Sequence, residues 1–183
     1  MLKGQMIIVI TKPEFFDGEA KRISWLLTSG AADIIHIRKP KASMHQVEQL
    51  IQQLPPDVYD RLVLHDHHQL AVKYRLRGVH LNSRNPQPPE GFKGAVSISC
   101  HSLSELAECR QQPYVYMSLS PIFDSISKAG YQSAFSAGQI AEARRQGLID
   151  KRVMALGGVT FEKVNDVLEM GFGGAMILGD AWK

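Results

Sequence analysis

Short apolar runs return along the whole chain, each separated from the next by enough residues for a crossover connection. They read MIIVIT, DIIHIRK, RLVLHD, GVHLN, AVSISC, YVYMSL, RVMALGG and GGAMILGD. Segments of helical spacing lie between them. In EAKRISWLLTSG, Ile23, Leu26 and Leu27 form an i, i+3, i+4 face that ends at Gly30. SMHQVEQLIQQL opens on the N-cap Ser43 and is stopped by Pro55 and Pro56. HQLAVKYRL, SLSELAECRQQ, SAGQIAEARRQGLID and TFEKVNDVLEMG continue the alternation. Strands spaced this way pair in parallel, since hairpins need far shorter links. Eight such units close into a (β/α)8 TIM barrel, compact beside the roughly 250 residues that are typical. An open doubly wound sheet is the alternative, and the lack of a GxGxxG turn points away from a dinucleotide fold.

Two irregularities mark this barrel. SRNPQPPEGFK is too rich in Pro and Gly for a helix, so the crossover after the fourth strand is expected as a loop or one turn. The sequence ends at Lys183 before an eighth helix could form, which would leave an apolar flank bare. More chain or a partner could cover that wall, and a homodimer is the natural expectation.

At 183 residues the chain is long enough for one core and short for two, so a single domain spanning 1–183 is expected. A hydrophobic share of 44% against 21% charged residues excludes a disordered or fibrous class. The formal charge of +3 comes without a run of Lys and Arg, which argues against nucleic acid and suits a small anionic ligand. Cys100 and Cys109 have neither CxxC nor zinc-like spacing and read as free thiols in a reducing compartment. The apolar run Met6 to Ile10 is too short for a signal-peptide core, and no window approaches a membrane span. A cytoplasmic protein is expected.

In a parallel barrel the chemistry gathers at the carboxyl ends of the strands. Those ends carry Thr11, His36 and Arg38, His65 and Asp66, His80 and Asn82, Ser99 and His101, Ser125 to Lys128, Gly157 and Gly158, and Gly179 and Asp180. Any one of these could be a surface cap; the set is harder to dismiss. Phosphate recognition is the clearest signal, because glycines after the seventh and eighth strands let backbone N–H groups approach anionic oxygens. ALGGVT and MILGD stand in those places, offering Gly157, Gly158, Leu178 and Gly179 as substrate-binding backbone. SPIFDSISK adds the Ser125 and Ser127 hydroxyls and the Lys128 cation. Arg38, with Lys39 beside it, offers a bidentate fork to a second anion. Asp66 could hold Mg2+ or cap the following helix. His36, His65, His80 and His101 lack HxH or HExxH spacing, so ordinary hydrogen-bonded histidines are expected rather than a metal cluster.

At these residues the sequence resembles the thiamine-phosphate synthase and TenI family from about Met6 to Asp180. The carriers are IIHIRK, LVLHDHHQLAV, GVHLN, SISCHSLSEL, SPIFDSISK, VMALGGVT and GGAMILGD. The resemblance implies a (β/α)8 barrel that joins an aminopyrimidine diphosphate to a thiazole phosphate and releases pyrophosphate, with Mg2+ on the leaving group. The family's hydroxyl pair and lysine fall on Ser125, Ser127 and Lys128, its arginine on Arg38, its first metal aspartate on Asp66 and its strand-five serine on Ser99. Its phosphate glycines fall on Gly157 and Gly158. The departures cluster on the diphosphate side. The second metal aspartate is Asn85, the lysine two residues after the arginine is Pro40 with only Lys39 nearby, and a glutamine and an asparagine are replaced by His36 and His65. That asymmetry brings in the TenI-type thiazole tautomerase, which needs no cofactor, although its proton-transferring histidine corresponds to Pro121. His101 or His36 would then have to serve as base. A non-catalytic binder of thiazole or thiamine phosphate is a third reading.

Overall fold

The computed structural model describes residues 5–124 and 134–183. Eight parallel strands follow in chain order: β1 Met6–Ile10, β2 Ile34–Ile37, β3 Leu62–Leu64, β4 Gly78–Leu81, β5 Ala95–Cys100, β6 Tyr116–Leu119, β7 Val153–Ala155 and β8 Gly174–Ile177. They are hydrogen-bonded in that order as a closed barrel, which rules out the open doubly wound sheet. The register sets Ile8 beside Ile34, Ile35 beside Leu62 and Val63 beside Gly78. It continues with Ser97 beside Tyr116, Met117 beside Val153 and Met154 beside Gly174. Strands two, three, four, six, seven and eight are buried along their whole length, as both faces of a barrel sheet require.

Among the described residues six α-helices lie in the crossovers: α1 Glu19–Thr28, α2 Met44–Gln52, α3 Gln69–Lys73, α4 Leu103–Cys109, α5 Ala137–Arg145 and α6 Val164–Glu169. Capping explains where they begin. Ser43 and Ser136 each form a reciprocal capping box with Gln46 and Gln139, and Ser102 accepts from the Glu105 N–H. Between β4 and β5 the backbone forms turns but no helix, as the prolines require. After β8 a single 3₁₀ turn, Gly179–Trp182, follows.

The packing divides into two units, one built on Ile8–Val96 and the other on Ser97–Lys183 with the first residues of β1. Ile8, Val9, Ile23, Leu26, Ile35, Leu62, Leu64 and Val79 are sealed in the first. Leu106, Met117, Leu119, Val153, Ala155, Val167, Ala175 and Ile177 are sealed in the second. Among the described residues no helix is long and apolar enough to cross a membrane.

Candidate active site

In the N-terminal unit the chain leaves β1 and β2 side by side. Thr11 Oγ1 accepts from the Arg38 backbone N–H at 2.9 Å, which fixes both strand exits. The Arg38 guanidinium is half-buried and has no hydrogen bond or ion pair among the described residues, so its fork is open to an anion. Lys39 behaves differently from the expectation that it faces a diphosphate. Its ammonium is buried and donates to both Glu19 carboxylate oxygens at 2.7 and 2.9 Å and to the carbonyls of Lys12 and Glu14 at 2.9 Å each. No donor is left for a ligand, and the nearest cation to replace the missing lysine at Pro40 is not Lys39.

Asp66 does not cap α3, whose start carries no side-chain cap. Its Oδ1 accepts from Arg84 Nε at 3.3 Å, Arg84 Nη2 at 3.1 Å and Asn85 Nδ2 at 3.0 Å. The Asn85 amide also donates to the His65 carbonyl at 3.0 Å. Both neighbours of that amide are acceptors, so its nitrogen and not its oxygen must face Asp66. These residues do not fit the Mg2+ that the resemblance implies. The carboxylate is already balanced by a guanidinium, the second ligand turns a donor toward it, and of the oxygens of these two side chains Asp66 Oδ2 alone is buried without a partner among the described residues. One oxygen is a poor anchor for a resident dication. Arg84 was invisible to motif reading because it lies in a loop segment; the signal that could have found it was a cation beside Asn85.

Behind this edge, three of the four histidines meet inside the unit. His36 Nδ1 lies 2.8 Å from His65 Nε2. The ring centroids of His36 and His80 are 4.9 Å apart and those of His65 and His80 4.5 Å. Burial lowers all three pKa values, His36 and His65 well below 6.5 and His80 to about 3, with the His80 neighbour adding to the effect on the first two. They are neutral imidazoles near pH 7. One ligand atom from each lies within 4.8 Å of the others, a grouping that sequence spacing did not suggest because His36 and His80 arrive on β2 and β4 and His65 just past the end of β3. The hydrogen bond between His36 and His65 matches the expected bonded histidines.

In the C-terminal unit Ser99 sits within β5, in register with Ser118 of β6. His101 is exposed; its Nδ1 pairs with the Ser120 Oγ at 3.2 Å, one residue before Pro121. Gly157 and Gly158 both have positive φ, 93° and 63°. A side chain at Gly157 would strike Pro121 Cα at 2.7 Å, and one at Gly158 would meet the Asp124 carbonyl and Phe123. Glycine is therefore required both by conformation and by the strand-six loop, which donates from Ile122 N to Leu156 O at 2.9 Å and from Phe123 N to Gly157 O at 3.0 Å. The Gly157 and Gly158 N–H groups themselves donate to no acceptor among the described residues. Around Gly179 a Cβ would meet nothing, so the room beside Leu178 and Gly179 is open. Asp180 is taken up structurally: its Oδ2 accepts from the Phe161 N–H at 3.0 Å and its Oδ1 from Lys183 at 2.8 Å. Ser125, Ser127 and Lys128 lie outside the described residues.

Comparisons with known proteins point to one family. The profile of the family described as thiamine monophosphate synthase matches residues 7–179. A thiamine-phosphate synthase of Photorhabdus laumondii is 30% identical over 85% of this chain and 75% of its own length. That of Shouchella clausii is 26% identical over 93% of this chain and 85% of its own. The crystal structure of thiamine phosphate pyrophosphorylase from Bacteroides thetaiotaomicron superposes with a TM-score of 0.86 at 39% identity, covering 97% of this chain and 85% of that one. The Pyrococcus furiosus thiamine phosphate pyrophosphorylase shares the fold at 19% identity with a TM-score of 0.75, over 97% of this chain and 90% of that one.

Proposed function

The chain belongs to the thiamine monophosphate synthase family and is a thiamine-phosphate synthase-type enzyme of thiamine biosynthesis, and from that premise we propose how its residues divide the reaction. The C–O bond of the aminopyrimidine methylene breaks, the electron pair leaves on the diphosphate, and the thiazole nitrogen forms the new C–N bond. No protein nucleophile is needed; holding the partners and stabilising the departing charge suffice. The observation that supports this most is the pair of N–H groups at Gly157 and Gly158, at positive φ and without a protein acceptor among the described residues. They suit the phosphate of the thiazole substrate. Ser125, Ser127 and Lys128 are proposed to bind it, Leu178 and Gly179 to line it, and Ser99 to face the ring. Arg38 is proposed to receive the diphosphate, with His36 and His65 on the same side of the site.

Synthases of this family are generally magnesium-dependent, and the reaction belongs in the cytoplasm with small phosphorylated heterocycles as partners. Incubation with thiazole phosphate and aminopyrimidine diphosphate should release pyrophosphate and thiamine phosphate in equal amounts. Absence of product with tight thiazole-phosphate binding would defeat the synthase reading. A second reading, the thiazole tautomerase, is favoured by one contact: His101 is exposed and hydrogen-bonded to Ser120, the residue next to Pro121, where that branch carries its base. Isomerisation of a thiazole phosphate tautomer, lost in His101→Asn, would support it.

A further inference from the structure

The loop after β4 is folded on one side chain. Asn82 Oδ1 accepts from the backbone N–H of Arg84 at 3.0 Å and of Asn85 at 3.2 Å. The backbones of Asn82 and Asn85 exchange hydrogen bonds of 3.2 and 3.0 Å. The Asn82 amide donates to the His65 carbonyl at 3.0 Å, tying the turn to the end of β3. Asn is suited to such self-bonded turns. The result is a fixed perch for Arg84 above Asp66.

The guanidinium meets Asp66 side-on through Nε and Nη2, both on Oδ1. The Nη1 edge has no protein acceptor among the described residues, and the side chain is 43% exposed while that of Asp66 is 11% exposed. The carboxylate is therefore the buried anchor and the arginine the group presented to solvent. The role the geometry gives this pair is orientation: the buried carboxylate fixes where the half-exposed guanidinium is presented. Arg38 and Arg84 both lie within electrostatic reach of His65, whose pKa their charges help lower after burial and its histidine neighbours. A second carboxylate in place of Asn85 would repel an anion here; the neutral amide does not.

We propose that Arg84 is the diphosphate-binding cation of this enzyme, held in place by Asp66 and Asn82 and acting with Arg38 where the family's synthases employ a metal ion. The proposal rests on the synthase reading. A planar guanidinium grips two phosphate oxygens at once and keeps its charge at every working pH. As the methylene C–O bond breaks, the charge that arrives on the diphosphate meets a cation already in position, with no proton or co-reactant required. Asp66 is a positioning residue in this scheme.

The test is calorimetric titration of inorganic pyrophosphate in EDTA and again in millimolar Mg2+, with product formation followed in parallel. Wild-type protein should bind pyrophosphate in EDTA, and Arg84→Ala should weaken that binding by at least about 10-fold, the worth of one charge-assisted contact. Arg84→Lys should recover part of it. The double variant Arg84→Gln, Asn85→Asp should bind only with Mg2+, and should bind Mn2+ alone as read by loss of the free-ion resonance. Pyrophosphate binding that requires Mg2+ in the wild type, binding under neither condition, or unchanged affinity in Arg84→Ala would each overturn the proposal. Product formed only with Mg2+ would overturn it while leaving the synthase reading intact. Arg84-dependent pyrophosphate binding with no product would sink the synthase reading and leave the cation in place.

Discussion

Burial raises the Glu19 carboxyl and lowers the Lys39 ammonium from their ordinary pKa values, while the ion pair between them pulls both back. Side-chain exposure is 3% and 0%, so neither charge can be solvated if the other is removed. Glu19→Gln should accordingly destabilise the protein by about 3–5 kcal/mol, because it strands a buried ammonium on two carbonyls. Replacing both residues by Met should recover much of that loss. Urea midpoints of the two variants decide the matter; a Glu19→Gln midpoint equal to wild type would mean that Lys39 reaches water. Sequence reading put Lys39 on the diphosphate side because it follows Arg38. Consecutive residues at a strand exit point to opposite sides, and here the second is turned onto α1.

At the scale of the element, the loops after β6 and β7 run together. Gly157 and Gly158 serve the chain twice, since their N–H groups have no acceptor among the described residues and their missing side chains admit Pro121 to Asp124. Gly158→Ala should cost about 1–2 kcal/mol in backbone strain alone, with more from the collision at Phe123. Thermal denaturation together with titration of a thiazole phosphate should show both a lower midpoint and weaker binding. Retained affinity in a folded variant would remove these amides from the phosphate seat. The glycine pair was legible in ALGGVT, but its approach to the strand-six loop was not, because that contact joins residues far apart in sequence.

For the molecule as a whole, the three sealed histidines set a pH dependence. Unfolded histidines take up protons near 6.5, whereas native His80 does so only at about 3 and His36 and His65 are also held well below 6.5, chiefly by burial. Between those values the unfolded state holds more protons than the native state. Stability is therefore full above about pH 6.5 and is lost as pH falls toward 3, with a slope of up to about 1.4 kcal/mol per pH unit for each histidine. Denaturant midpoints measured from about pH 7.5 to 5 should fall, and should fall less steeply in His80→Gln. A flat profile for the wild type would show that the cluster accepts protons without unfolding.

The chain by itself determined the eight strands, the capped helices at Ser43, Ser102 and Ser136, the helix-free crossover after β4 and the polar character of the strand ends. These follow from the period of apolar residues, from capping chemistry and from proline's missing N–H, all of which are local. Only the tertiary structure decided which strand-end groups stay open. Lys39 meets Glu19 from 20 residues away and Arg84 meets Asp66 from 18, and His36 and His80 join from β2 and β4 with His65 from the end of β3. Barrel closure sets such neighbours through strand register and side-chain direction, and no spacing within a single segment encodes them.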